Sequence, residues 1–565
     1  MPSEMDRSLK QRLDAILAPG GPLELTTIER FGTQLPLFRN APPNLPAYFA
    51  HYCAQHGETI FLVDGDIRLS FADTLAAARV LAGALVAGHG VQKGDRIGIA
   101  ARNSANWAVA YMAVLLAGGC ATLLNGFSTG EELADAIALA QCSLVLADPQ
   151  RAARLDDRNP GVKVLVFTHG SLPAEGFAAV MAAGGGAETP LPTIGPEDHA
   201  SILFTSGSTG RSKGALSDHR SVVQATLNFA AQSLMVYGHM TSRGEAPRHP
   251  SASLVAVPLF HVTGEVPVFL QSFALGRRLV MLSKWDALEA MRLIEAEKVT
   301  YFVGVPLMSI ELATHPERGR FDLSSCTNFA AGGAPRPADH VQRIRTSLPA
   351  GFPIIGYGLT ETNAVGCGNF NENYLAKPGS TGPASLPLVD LAILGPDGGK
   401  LPHGETGEVA IRSICNFTGY WNDPEATRAA LREDGYFLTG DLGYLDEDGY
   451  LFIVDRKKDI IIRGGENISC IEVEQAIYAH PDIAECSVFG LPDDRFGEIP
   501  AAVWLAKPGH GLTGVDLREF LAEHLAPFKI PARMWQAEGP LPRLGTAKVN
   551  KRALREKYLA LIEGE

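Results

Sequence analysis

A chain of 565 residues exceeds what one ordinary hydrophobic core holds, so at least two domains are expected. With 46% hydrophobic and 20% charged residues it reads as soluble and globular, and its net charge of -13 excludes a general affinity for nucleic acid while leaving room for a local phosphate pocket. Its 8 cysteines are scattered with no CxxC pair, which excludes a cysteine zinc site and a disulfide framework and points to a reducing, cytoplasmic location.

The opening MPSEMDRSLKQRL carries charge where a signal peptide needs an apolar core, so export is not expected. From about Phe61 to Thr362 apolar β-type runs (RIGIA, VKVLVF, SILF, LVAVPL, RRLVML, YFVGVP) alternate with helix-period segments, the pattern of parallel sheets covered by helices. Residues 107–124 carry no charge and approach the length of a membrane span. Gly118 and Gly119 divide them into a helix-like WAVAYMAVLLA and a strand-like CATLL, so a buried helix–strand unit is expected and no transmembrane segment. Residues 174–196 and 237–251 read as surface loops.

The run TSGSTGRSKG follows the apolar SILF and precedes a helix-period segment at 218–235, which predicts a loop at a strand-to-helix turn. Gly207, Gly210 and Gly214 permit positive φ and turn amides toward an anion. Thr205, Ser206, Ser208 and Thr209 add hydroxyls, and Lys213 adds full charge. Composition alone also fits a flexible Gly/Ser linker. A Walker A loop needs glycine before the lysine and Ser or Thr after it, whereas Ser212 and Gly214 flank Lys213.

After Glu361 the texture changes to short strands with turn residues (VDLAILGPDGGK, GEVAIRS), and near Asp455 a new unit begins, with a helix at 470–479, strands at CSVFGL and AAVWLA, and helices at 516–525 and 550–562.

The phosphate loop and the motifs PLFHVTG, AGGAP, GYGLTE, FLTGDLG, DRKKDIIIRGGENIS and LPRLGTAKVNKRALR occur in the order found in the adenylate-forming superfamily. That superfamily contains acyl-CoA synthetases, luciferase and peptide-synthetase adenylation domains, and the resemblance runs from roughly Leu45 to Arg555. It implies an α/β fold with a large N-terminal domain of helix-covered sheets plus a small β-rich subdomain (residues 1–457), and a small mobile α+β C-terminal domain (458–565). The implied reaction is ATP-dependent activation of a fatty or aromatic carboxylic acid to an acyl adenylate, followed by transfer to CoA.

By the same resemblance His261 lines the acyl pocket. Gly332, Gly333, Ala334 and Pro335, with Tyr357 and Gly358, form the purine slot, Tyr357 stacking on the base. Thr360 bonds a phosphate oxygen and Glu361 holds Mg²⁺. Asp441 accepts the ribose hydroxyls, Arg456 adds a ribose or phosphate contact, Lys458 is the hinge, Gly464 and Gly465 belong to the pantetheine-tunnel loop, and Lys548 is the catalytic lysine. Each residue read alone has an ordinary structural alternative: a packed histidine, a core tyrosine, a solvated glutamate, a common turn. Two departures stand out: Ser212 replaces the family's proline, and Ala547 replaces the glycine before Lys548, which predicts strain there if the backbone needs φ > 0.

The acyl pocket is expected to be lined by 261–267, 305–308, 332–334 and 356–358, mostly small or apolar residues. Glu265 is expected either to face away from it or to recognise a polar group. A separate carrier protein as acceptor, a luciferase-like oxygenase, a non-catalytic nucleotide-binding regulator and a homodimer all remain compatible with the sequence, although the chain ends soon after Lys548 without room for a carrier domain.

Overall fold

Short β-branched and leucine-rich runs, each followed by a helix-period segment, become parallel strands with helices on their faces. The computed structural model describes residues 3–156, 158, 160–206, 212–333, 336–507, 509–543 and 549–563, and the described strands gather into five sheets. In the first large sheet Lys163–Val166, Leu144–Ala147, Arg96–Ala100, Cys120–Leu123 and His199–Ser206 run parallel, and Ser212–Asp218 and Gly419–Tyr420 extend it antiparallel. In the second, Ile60–Asp64, Arg278–Met281, Ala252–Val255, Tyr301–Gly304, Asn328–Ala331 and Phe352–Gly358 are parallel. An antiparallel sheet of Val389–Leu394, Gly407–Ser413, Tyr436–Leu445 and Leu451–Arg456 follows, matching the expected β-rich subdomain.

The expected strand-to-helix turn after SILF is corrected. His199–Ser206 pairs antiparallel with Ser212–Asp218, with Lys213 opposite Thr205, so the run expected to bind phosphate is flanked by two paired strands. The helix His219–Ser242 starts only after Asp218, whose side chain accepts from the Ser221 amide as its N-cap. Gly207, Ser208, Thr209 and Gly210 lie outside the described residues.

That helix also runs through the expected loop at 237–251 as far as Ser242. Tertiary packing extends it: Met5, Leu9 and Leu13 of the helix Glu4–Leu17 bury against Met235, Val236 and Met240, and His239 Nδ1 lies 3.0 Å from Ser8 Oγ. In the second expected loop, Pro173–Gly176 and Ala178–Met181 form single helical turns that bury Phe177 and Val180.

Residues 107–124 divide as expected. Ala105–Leu116 is a fully buried helix, Cys120–Leu123 is a buried parallel strand, and Gly118 at φ 80° makes the turn between them. One described helix, Phe71–His89, has the length and hydropathy of a membrane span, and it packs on Ala105–Leu116 with Thr74, Ala78, Leu81 and Leu85 buried. Around these helices Trp107 stacks on Tyr111 at 5.4 Å, and Phe61, Phe71, Phe269 and Phe273 form an aromatic cluster in the same core.

Residues after 458 form their own sheet, Glu466–Ile468, Ile461–Arg463, Gly497–Ala506, Ile483–Asp493 and Arg533–Gln536. The helices Cys470–Tyr478, Gly514–Ala522 and Lys551–Glu563 pack with it around Trp504, Val488 and Leu517 on one side and around Phe489, Leu541 and Tyr558 on the other. All 8 cysteines are free thiols, and Cys142 alone is not fully buried.

Candidate active site

The strand ends Thr205, Lys213, Thr360 and Glu361, the hairpin residues Asp441 and Arg456, and Lys458 line one cleft of about 1410 Å³. Arg543 and Asn550, on either side of Lys548 in the sequence, also line it. Lys548 itself lies outside the described residues, as do Ala547, Ala334 and Pro335.

Glu361 sits in a 3₁₀ turn, Thr360–Thr362, directly after the strand Phe352–Gly358. The next two residues, Asn363 and Ala364, both take positive φ (49° and 67°), an arrangement that costs energy for residues with a Cβ. Asn363 is held there by bonds from Ser217 Oγ to its Oδ1 and from its Nδ2 to Cys415 O. The turn buries Glu361 to 7% exposure, and Tyr420 Oη donates to its Oε1 at 2.7 Å. Burial pushes the Glu361 carboxyl above the usual carboxylate range, while Tyr420 and the charges of Arg456 and Lys213 oppose that rise. Lys213 Nζ rests 4.9 Å from the centre of the Tyr420 ring. A buried hard carboxylate at the wall of a cleft with lysines is a fit for a phosphate-bound Mg²⁺, which takes one or two protein carboxylates.

Asp441 is buried on the strand Tyr436–Leu445, in register with Arg456 on Leu451–Arg456. Its Oδ2 accepts from Tyr357 Oη at 2.7 Å, and its Oδ1 lies 3.4 Å from Arg456 Nε. Burial and the Asp441 carboxylate together hold the Tyr357 phenol protonated, well above its ordinary range. Tyr357 thus reaches the site through its hydroxyl, as the group that orients Asp441, and its ring is not among those lining the cleft.

His261 caps a short helical turn and accepts from the Thr263 amide at 3.3 Å through Nδ1. His261 lines the large cleft, beside Thr263, which lines both the cleft and the adjoining cavity. Gly332 and Gly333 fall at the end of Asn328–Ala331, Gly333 at φ 76°. Gly464 (φ 58°) and Gly465 (φ 93°) make the hairpin turn between Ile461–Arg463 and Glu466–Ile468, apart from the cleft.

A second cavity of about 480 Å³ adjoins the cleft, the two sharing Thr263, Gly333 and Gly358. Thr263, Pro267, Gly332, Gly333, Gly356 and Gly358 line it as expected. Val305 to Met308 do not, because that stretch starts a helix packed on the opposite core. A Cβ on Gly358 would lie 2.0 Å from Ala364 O, which explains glycine at this shared wall. Val262–Gly264, a π-helical turn Glu265–Leu270 and Gln271–Leu275 form one continuous helix beside the cavity. The π turn points Pro267 at the cavity and Glu265 away from it, into the protein, where Tyr111 Oη donates to its Oε1 at 2.6 Å. Burial raises the Glu265 carboxyl to about 7 against the opposing Tyr111 bond.

Tyr420, Tyr111, Lys457 and Arg543 were not legible as site or support residues. Each acts across a long stretch of chain, Tyr420 on a residue 59 positions away and Tyr111 on one 154 away. Lys457 Nζ binds Glu408 at 3.0 Å on the cleft rim.

The family model of AMP-binding enzymes matches residues 49–421, and that of the AMP-binding enzyme C-terminal domain matches 472–548. The chain is 33% identical over 523 residues to a long-chain-fatty-acid–CoA ligase of Bacillus subtilis, covering 87% of this chain and 90% of that protein. It is 34% identical over 496 residues to a feruloyl-CoA synthase of Amycolatopsis, covering 87% and 95%. The ATP-bound structure of MatB from Rhodopseudomonas palustris superposes with a TM-score of 0.80 at 30% identity, covering 92% of this chain and 99% of that one. With both domain models matched and full-length relatives above 30% identity, the chain belongs to the AMP-binding, adenylate-forming enzyme family and is acyl-CoA-synthetase-like over most of its length.

Proposed function

We propose that this chain is an AMP-forming acid–CoA ligase whose 1410 Å³ cleft takes ATP and whose 480 Å³ cavity takes the acyl tail. The observation that carries this is the shared wall of Thr263, Gly333 and Gly358, which brings an apolar chamber and a polar cleft together at one point. A carboxylate at that point reaches the α-phosphate of a nucleotide lying along Thr360, Glu361 and Asp441.

A carboxylate is a poor acyl donor because its oxygen leaves badly. In the first step a carboxylate oxygen attacks the α-phosphorus, the bond to the bridging oxygen breaks, and pyrophosphate leaves. Asp441, oriented by Tyr357, accepts the ribose hydroxyls. Lys213 and the loop 205–214 hold pyrophosphate oxygens, Thr360 bonds a phosphate oxygen, and Arg456 adds positive charge. Glu361 would hold Mg²⁺, which neutralises phosphate charge when bound. Lys548 neutralises the charge that builds at the reacting phosphate, so catalysis rests on positioning and electrostatics with no protein nucleophile. In the second step the CoA sulfur attacks the acyl carbonyl, AMP leaves with the former carboxylate oxygen, and the thiol proton passes to solvent. Residues 458–565 act as a mobile domain turning about Lys458, which withdraws Lys548 and brings Gly464 and Gly465 to the adenylate. A cytosolic location suits the free thiols and the CoA acceptor.

The test is product analysis with ATP, Mg²⁺, CoA and a panel of fatty and aromatic acids. Equal amounts of acyl-CoA and AMP support the reading. Adenylate that accumulates and is discharged only by a carrier-protein thiol would assign the acceptor differently.

A further inference from the structure

The apolar cavity contains a buried arginine that the adenylation chemistry does not use. Arg277 is 4% exposed and lines the chamber, with its backbone just ahead of the strand Arg278–Met281. Its Nε donates to Ser251 Oγ at 3.3 Å, and its guanidinium carbon lies 4.5 Å from the centre of the Tyr301 ring. Nη1 is buried with no hydrogen-bond partner among the described residues, and no described carboxylate pairs with the group. The adjacent Arg278 differs on both counts: it is 31% exposed and lies 3.8 Å from Glu297. A guanidinium cannot shed its charge in a protein, and burying it unpaired is expensive. Packing on Tyr301 alone is a weak return for that cost.

The position is at the far end from the chemistry. Ala252 pairs with Arg278, Ser253 with Tyr301 and Tyr301 with Asn328, so the Arg277 backbone lies two residues before the level of Asn328, and its guanidinium reaches that level over the Tyr301 ring. Gly333, at the shared wall, is five residues beyond Asn328, about 16 Å at strand rise. We propose that the acid this enzyme activates carries a second carboxylate, bound by Arg277 at the distal end of the acyl cavity roughly 16 Å from the wall where the first is adenylated. The planar fork of a guanidinium matches a carboxylate with two parallel bonds, so Arg277 sets specificity for medium-length dicarboxylic acids over fatty acids. This inference rests on the 480 Å³ cavity being the acyl site.

The test compares kcat/KM for suberate, sebacate and dodecanedioate with octanoate, decanoate and dodecanoate, in the full chain and in Arg277→Met and Arg277→Lys. The wild type is expected to prefer the best dicarboxylate over its monocarboxylate partner by about 10- to 100-fold, the range of a charged hydrogen bond. Arg277→Met is expected to lose that preference while retaining monoacid turnover, and Arg277→Lys to keep part of it. Thermal unfolding gives a readout that a merely structural arginine would not share: sebacate raises the wild-type Tm and leaves that of Arg277→Met unmoved, while the unliganded variant melts no lower than wild type. A wild type that prefers the monoacids, or a preference unchanged in Arg277→Met, overturns the proposal. If the variant does not fold, the wild-type preference decides alone. If no acid of either kind is activated, the ligase reading fails, and an absent sebacate shift then overturns the Arg277 site as well.

Discussion

The phenol of Tyr357 donates a 2.7 Å hydrogen bond to Oδ2 of Asp441, joining the end of a parallel strand to a hairpin 84 residues later. That bond fixes the Asp441 carboxylate, the proposed ribose acceptor, with Arg456 3.4 Å from its other oxygen. Tyr357→Phe removes the donor and leaves the ring. A bond to a charged group is worth about 1.5–3 kcal/mol, so KM for ATP is expected to rise about tenfold or more with a smaller change in kcat. Steady-state kinetics at saturating acid checks this, and an unchanged KM would separate Tyr357 from nucleotide binding.

Glu361 is buried against Tyr420 at the cleft wall. Glu361→Gln keeps an oxygen for the Tyr420 bond and removes the charge that would hold Mg²⁺. Activity is expected to fall about 10²-fold, in the range seen when one electrostatic contact to a transition state is lost. The Mg²⁺ concentration for half-maximal rate should rise, and stability should not decrease, because a desolvated carboxylate is gone. Metal titrations of the rate and a melting curve separate these effects.

Glu265 gives a pH signature in stability. Its folded carboxyl titrates at about 7, above the ordinary 4.5, because burial outweighs the Tyr111 bond. The folded state therefore binds more protons than the unfolded state across that interval, so this group's contribution is full below pH 4.5 and is lost as pH rises toward 7. Glu265→Gln retains an acceptor for Tyr111 and removes the titration. The variant is expected to gain on the wild type as pH rises from 5 to 8, by up to about 3 kcal/mol from a shift of this size. Urea denaturation at several pH values measures it, and parallel curves would contradict the assignment.

At Gly358 the wall between cleft and cavity has no room for a side chain. A Cβ on Gly358 would meet Ala364 O at 2.0 Å, a backbone atom that cannot swing aside. Gly358→Ala is expected to cost about 2 kcal/mol or more and to suppress adenylation with every acid. Gly356, where the nearest atom is 4.0 Å away, serves as the control: Gly356→Ala should fold normally.

The order of motifs made the family, the parallel sheets and the central polar residues of the cleft legible in the sequence. Thr205, Lys213, Thr360, Glu361, Asp441, Arg456 and Lys458 do converge. Local pattern failed where tertiary contact decides. Ser212–Asp218 reads as a loop-to-helix lead but pairs as a strand, because its partner His199–Ser206 is supplied by the chain fold. The helix His219–Ser242 outruns its periodicity because Glu4–Leu17 covers its end. Arg277 and Arg278 are adjacent and identical in type, and only the sheet shows that one is buried and unpaired while the other faces a carboxylate.

The central claim is that this cleft joins a carboxylic acid to AMP, and acid-dependent exchange of labelled pyrophosphate into ATP measures that step without CoA. Exchange that requires both the acid and Mg²⁺, and that falls about 10²- to 10³-fold in Lys548→Ala, is the predicted result. Tight ATP binding with no exchange from any fatty, aromatic or dicarboxylic acid would contradict it and leave a nucleotide-binding protein that does not adenylate.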